Sequence, residues 1–298
     1  MTRFFSPSRG LPAILPVLSL FVLGCSNHYL IHPRDALPGL VETREERRVG
    51  DLTLRLEWVE PAGDGLLPAV VVHPEAGHRA QEMRGILRSL AASGYLAVAV
   101  DYRRDDGETI FTWQQKEDAL AAHRVVTAHR RVDPSRIGWM GYSQGAIYSL
   151  LIAARTEAAA VVAYYPITDL VGWLAQSDEP GFRGWLFGQI ERRFRQRSGV
   201  GDDDAEFARR LALASPLGQA ERIEAPVLLI HGDRDRSAPV GESRRLAQRL
   251  RELDRDVELV VLEDAGHVFN FRTASRAEAA WRQAKAWLDR YLRPNSEQ

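Results

Sequence analysis

Gly141-Tyr142-Ser143-Gln144-Gly145 follows one apolar run, Arg136-Ile137-Gly138-Trp139-Met140, and opens into another, Ala146-Ile147-Tyr148-Ser149-Leu150-Leu151-Ile152-Ala153-Ala154. This order predicts a strand, a sharp turn and a helix, with Ser143 at the apex, as a nucleophile elbow requires. The glycines matter because the turn is strained and a side chain at either flank would meet neighbouring backbone. The pattern also has a plain reading, since serine commonly caps an apolar helix.

A serine hydroxyl becomes a useful nucleophile only with a base in hydrogen-bond reach and a third group that fixes the base's tautomer. Two downstream segments supply candidates in the order acid, then histidine. In Pro226-Val227-Leu228-Leu229-Ile230-His231-Gly232-Asp233-Arg234-Asp235, an apolar run ends in a polar, glycine-containing loop. Val257-Glu258-Leu259-Val260-Val261-Leu262-Glu263-Asp264-Ala265-Gly266-His267 repeats the design. Sites in open parallel sheets gather beyond the carboxyl ends of strands, so Ser143, Asp235 and His267 are expected at one edge. Singly, Asp235 reads equally as a turn residue or a cap of the next helix, and His267 as a loop histidine. Asp233 is the alternative acid and His231 the alternative histidine.

Strands are expected near Leu52–Trp58, Ala69–His73, Leu96–Val100, Ile137–Met140, Val161–Tyr165, Val227–His231 and Val257–Leu262. Helices are expected near Gln81–Ala92, Gln115–His129, Gln144–Arg155, Ser243–Glu252 and Ala277–Tyr291. The alternation implies a mostly parallel sheet with helices on both faces, its leading strand in an antiparallel hairpin edge. Residues 173–213 interrupt it with Trp173, Phe182, Trp185, Phe187 and Phe194 among glycines and charges. Those aromatics either line a cleft or pin the insertion to the body. Asp202-Asp203-Asp204 is read as a helix cap. Arg192-Arg193-Phe194-Arg195-Gln196-Arg197 is read as a solvated helix face.

From about Pro68 to Leu292, these features resemble the catalytic domain of the prolyl oligopeptidase family, within the α/β-hydrolase fold. The resemblance is carried by Asp133-Pro134-Ser135-Arg136-Ile137-Gly138-Trp139-Met140-Gly141-Tyr142-Ser143, by Tyr165-Pro166-Ile167-Thr168-Asp169 and by Ala214-Ser215-Pro216-Leu217. It continues in Ile223-Glu224-Ala225-Pro226, His231-Gly232-Asp233-Arg234-Asp235 and Ala265-Gly266-His267. It implies Ser143 as nucleophile, Asp235 as acid and His267 as base, with a helical lid over about residues 171–214. Ala146 stands where the family usually has glycine, and too little chain precedes Pro68 for the family's β-propeller. The Gly-Tyr-nucleophile order and the Pro74-Glu75-Ala76-Gly77 loop are similar to dienelactone hydrolases, whose nucleophile is cysteine.

Acyl transfer places negative charge on the former carbonyl oxygen, and backbone amides aimed at it stabilise the transition state. The residue after the nucleophile, Gln144, is expected to give one amide. The loop after strand Ala69–His73 gives the other, with Ala76 preferred and Glu75 next. His73 and His78 lack the partners of a metal site, so neither metal nor organic cofactor is expected.

The N-terminus carries a separate message. Residues 1–10 hold Arg3 and Arg9 and no acid, residues 11–23 are almost wholly apolar, and Val22-Leu23-Gly24-Cys25 follows. That is the plan of a secretory signal peptide, and the apolar run falls short of the about 20 residues of a membrane-spanning helix. Cys25, the chain's one cysteine, resembles the lipidated residue of a bacterial lipoprotein lipobox. The chain therefore divides into a signal (1–24), a tether (25–49) and a catalytic domain (50–293). Ser26, rather than aspartate, fits sorting to the outer membrane on its periplasmic face.

At 45% hydrophobic and 27% charged, the composition suits a folded domain rather than a disordered one. Formal net charge is −1, and losing Arg3 and Arg9 makes the chain more acidic, which offers nothing to nucleic acid. The expected activity is hydrolysis of an ester or a peptide-type amide in a small substrate. A dienelactone hydrolase-like carboxylesterase and a non-catalytic binding protein on the same scaffold are the alternatives.

Overall fold

The structure, a computed structural model, describes residues 29–101, 113–178 and 180–293. Eight strands form one sheet: β1 (Leu40–Val49), β2 (Leu52–Pro61), β3 (Leu67–His73), β4 (Leu96–Val100), β5 (Val132–Tyr142), β6 (Ala160–Tyr164), β7 (Val227–Gly232) and β8 (Val257–Leu262). Their order is β1-β2-β4-β3-β5-β6-β7-β8. β1 and β2 pair antiparallel, β2 pairs antiparallel with β4, and every later pairing is parallel.

The helices are α1 (Arg84–Ala92), α2 (Trp113–Thr127), α3 (Gln144–Ala153), α4 (Leu170–Leu174), α5 (Phe182–Ser198), α6 (Asp204–Leu213), α7 (Gly241–Glu252) and α8 (Ala274–Leu292). Strands β4, β6 and β7 are buried throughout, as uninterrupted apolar runs covered on both faces must be. Alternate residues divide between two layers. Val70, Val72, Ala97, Ala99, Met140 and Val162 pack with α1 and α8. Val71, Val98 and Trp139 pack with α2, α3 and the insertion. Burying each valine or leucine is worth about 1.5–3 kcal/mol, so this sandwich fixes where the strand ends fall.

The expected tether from 25 to 49 is corrected by this structure. Leu40–Val49 is a ladder strand paired along its whole length with β2, closing on Val49↔Leu52 through Gly50 at φ +62°. Its charges hid it. Glu42 accepts from Arg88 Nε and Nη2 at 2.7 and 2.9 Å, and Arg55 Nε lies 2.6 Å from Glu46. A charged edge strand discourages pairing with a second sheet. The domain therefore starts before residue 50. Residues 29–39 are held too, since Tyr29 and His32 are buried and Leu30 N donates to Asn270 O at 3.2 Å. The expected signal peptide and the expected lipidation at Cys25 lie outside the described residues.

The insertion between β6 and β7 is helical, comprising α4, α5 and α6. Trp173, Phe187 and Phe194 are buried and pin it to the body, whereas Phe182 and Trp185 face outward. Asp203 caps α6 by accepting from Glu206 N at 3.0 Å, as expected for the aspartate run. Arg195 in the basic cluster pairs with Glu191 and Asp204 at 3.0 and 2.6 Å. Among the described residues, no helix is long and apolar enough to cross a membrane.

Candidate active site

β5 ends at Tyr142 and α3 begins at Gln144, so the chain reverses at Ser143 alone. Ser143 holds φ +49° and ψ −113°, outside the regions open to most residues. Its amide donates to Tyr164 O at 2.9 Å, tying the turn to β6. Both flanking glycines are obligatory. A Cβ on Gly141 would sit 2.2 Å from Gly145 O, and one on Gly145 would sit 2.2 Å from His73 O.

Ser143, Asp235 and His267 come together in one chain of hydrogen bonds. Ser143 Oγ lies 3.0 Å from His267 Nε2. His267 Nδ1 lies 2.6 Å from Asp235 Oδ2. With Nδ1 donating to a carboxylate, Nε2 is left to accept the serine proton. The two oxygens of Asp235 divide the labour. Oδ2 faces His267, while Oδ1 accepts from Ser237 N at 2.9 Å and Ala238 N at 2.8 Å. The turn-residue reading of Asp235 and the acid reading thus describe different oxygens of one side chain.

Burial alone would raise the Asp235 carboxyl. The charge of His267, a hydrogen bond from His231 and the bond to His267 outweigh it, holding the group well below the usual carboxylate range. Asp233, the alternative acid, is exposed. His231 is fully buried and engaged at both nitrogens, with Ser243 Oγ at 2.7 Å from Nδ1 and Ala238 O at 2.6 Å from Nε2. It braces the acid loop rather than meeting Ser143.

The loop of Pro74–His78 abuts the elbow, since a Cβ on Gly145 would clash with Pro74 O as well as His73 O. That places Ala76 and Gln144 on the two segments that border Ser143. His73 lies in the core beside Ser149 Oγ at 3.1 Å, and burial lowers it from 6.5 to about 3. His78 stacks on Phe271 at 5.1 Å. Among the described residues, no group of three His, Cys, Asp or Glu is placed to hold a metal ion.

Sequence reasoning missed two contributors. Tyr29 wedges between three segments of the site. Its ring is 4.3 Å from Phe271 and 5.1 Å from Tyr142, and its hydroxyl donates to Glu75 Oε1 at 3.3 Å. Glu75 is buried, which raises its carboxyl; His78, His267 and the Tyr29 hydroxyl only partly counter this. Tyr29-Leu30-Ile31 is too short an apolar run, between His28 and His32, to give a periodic signal. Tyr165, at φ +41°, packs edge-on against His267, with ring centroids 4.8 Å apart. The only hint of it was its place at a strand end.

Comparison with known proteins bears on this arrangement. The sequence pattern of the prolyl oligopeptidase family matches residues 81–295. The uncharacterized peptidase YtmA of Bacillus subtilis is 28% identical over 190 residues, covering 62% of this chain and 69% of its own. Among solved structures, an acylaminoacyl peptidase of Pyrococcus horikoshii superposes with a TM-score of 0.70 at 19% identity. The match covers 88% of this chain but 43% of that one, so the chain spans less than half its length. A thermophilic esterase of Thermogutta terrifontis gives a TM-score of 0.67 at 22% identity, over 87% of this chain and 96% of its own. At these identities the structural likeness speaks to fold, which is that of the α/β hydrolases. The family match takes in well over half of the chain, with Ser143, Asp235 and His267 all inside it, and this protein accordingly belongs to the prolyl oligopeptidase family and is a serine hydrolase.

Proposed function

We propose that the protein hydrolyses an ester or a peptide-type amide of a small substrate, as a lipid-anchored enzyme of the bacterial cell envelope. The observation that carries the chemistry is the continuous bond path of 3.0 and 2.6 Å from Ser143 through His267 to Asp235. Ser143 Oγ attacks the carbonyl carbon while His267 Nε2 takes its proton. Asp235 keeps Nδ1–H in place and stabilises the imidazolium that forms. The backbone amides of Gln144 and Ala76 receive the oxyanion. His267 returns the proton to the leaving group as the tetrahedral species collapses to an acyl-enzyme. A water then repeats the sequence in reverse roles and frees the acid and Ser143.

Replacing Ser143 with alanine should lower kcat by about 10⁴–10⁶, because no other group can form the acyl-enzyme. Turnover of a nitrophenyl ester, with circular dichroism to verify folding, tests this. A fluorophosphonate should label Ser143 and neither Ser149 nor Ser237. Normal turnover by Ser143→Ala would reject the assignment, and silence toward the probe would favour a binding protein on this scaffold.

A carboxylesterase is the second reading. It draws on the esterase of Thermogutta terrifontis, which is covered along 96% of its length, against 43% for the acylaminoacyl peptidase. Rates on matched panels of esters and aminoacyl amides separate the two. The anchoring reading rests on the sequence around Cys25, with its basic start and apolar run. It predicts a mature N-terminus at Cys25 that carries acyl chains, detected by mass spectrometry of the N-terminal peptide.

A further inference from the structure

The segment expected to act as a long spacer is instead docked against the site. Tyr29 is buried beside Tyr142, Glu75 and Phe271, which belong to the strand end before Ser143, the Pro74–His78 loop and the segment after His267. Only Ser26, Asn27 and His28 separate Cys25 from it. Four fully extended peptide steps span at most about 14 Å. A lipid on Cys25 would therefore hold the carboxyl edge of the sheet, where Ser143 lies, close to the bilayer.

A second observation lies on the insertion that leaves the same edge after β6. On α5, Leu186, Phe187, Ile190 and Phe194 are buried, whereas Phe182 is 73% and Trp185 54% exposed. The two outward rings stack at 5.6 Å. Arg192 follows Trp185 by two helical turns and is exposed on the same face. Large exposed aromatics are uncommon on a soluble surface and suit the interface where a bilayer meets water. An arginine beside them can pair with lipid phosphate.

We propose that Phe182, Trp185 and Arg192 form a membrane-contact face that, with the short link to Cys25, seats the active-site edge on a phospholipid surface. The substrates taken are then esters presented at the bilayer. This rests on the anchoring reading above and adds an orientation to it.

The test uses the full acylated protein reconstituted in vesicles of phosphatidylethanolamine and phosphatidylglycerol. Brominated phospholipids should quench the Trp185 fluorescence, taken as the difference between the protein and its Trp185→Phe variant, by at least half. The double variant Phe182→Ser, Trp185→Ser should lose at least fivefold in hydrolysis of a long-chain nitrophenyl ester dissolved in the vesicles. It should keep the parental rate on nitrophenyl butyrate in solution. An unquenched Trp185 component, or equal rates of variant and parent on the vesicle ester, overturns the proposal. Matching losses on both esters overturn it as well, since they mark a damaged site rather than a lost contact. Failure of the underlying readings is scored separately. Butyrate turnover by the parent reports the hydrolase, and the mass of the N-terminal peptide reports acylation. An unmodified Cys25 overturns both the anchor and the orientation.

Discussion

Two buried carboxylates lie near His267, and their surroundings push them in opposite directions. Asp235 receives two backbone amides on one oxygen and two histidines on the other, and is held well below the ordinary range against the effect of burial. Glu75 receives the Tyr29 hydroxyl at 3.3 Å and has His78 Nδ1 at 3.9 Å, and its carboxyl is raised by burial. Both are at most 6% exposed, so depth does not separate them. The number and charge of donors does. The acid loop is built to hold a negative charge. The loop of Glu75 tolerates one poorly and draws on the N-terminal segment to do so.

The largest test of this contrast is Asp235→Asn. The amide keeps the shape and the contacts to Ser237 and Ala238 but lets His267 take the wrong tautomer, and kcat should fall by about 10⁴. Steady-state kinetics on a nitrophenyl ester measure it, and a loss under tenfold would mean that another group orients His267.

Tyr29→Phe comes next. It removes the hydroxyl donor of Glu75 and should destabilise the fold by roughly 1–3 kcal/mol, the range for stranding a buried polar group. Urea unfolding reads the loss, and a double-mutant cycle with Glu75→Gln should show the two changes to be non-additive. Additive effects would mean that the hydroxyl and the carboxyl do not communicate.

The smallest effect is the pH signature of Glu75→Gln. A carboxyl raised on folding binds its proton more tightly in the native state, so it lowers stability as pH climbs above its unfolded value of about 4.3. The glutamine variant should thus melt with the parent at pH 4 and above it at pH 7 by a few degrees, each 1 kcal/mol being about 2–4 °C in such a domain. Asp235 has the opposite sign. Its contribution is complete above about pH 4 and fades as pH falls below that. Calorimetry across pH 2–8 distinguishes the two, and parallel melting curves for parent and Glu75→Gln would remove the contrast.

The sheet and the elbow were legible because their causes are local. Val227–His231 and Val161–Tyr165 read as buried parallel strands from composition alone, and Gly141 and Gly145 announce a turn whose crowding the structure measures at 2.2 Å. Asp235 and His267 could be named as candidates because each follows an apolar run, and the family resemblance set them above Asp233 and His231. β1 was hidden by its own chemistry: an edge strand whose glutamates and arginines pair with α1 and β2 shows no apolar alternation. Gly50-Asp51 between two extended runs was the one available hint of a hairpin. Tyr29 and Glu75 were illegible for a different reason. They meet across 46 residues, and nothing near either one names the other.

The crowding around the elbow has a practical consequence for anyone wishing to retrain this enzyme. Carbonyl oxygens already occupy the space where side chains at 141 and 145 would begin, so random libraries across the pentapeptide would consist mostly of chains unable to close the bend. New selectivity has to be sought where a change does not press on main chain. The outward rings of α5 offer such ground, because solvent, not backbone, is what a replacement there would displace.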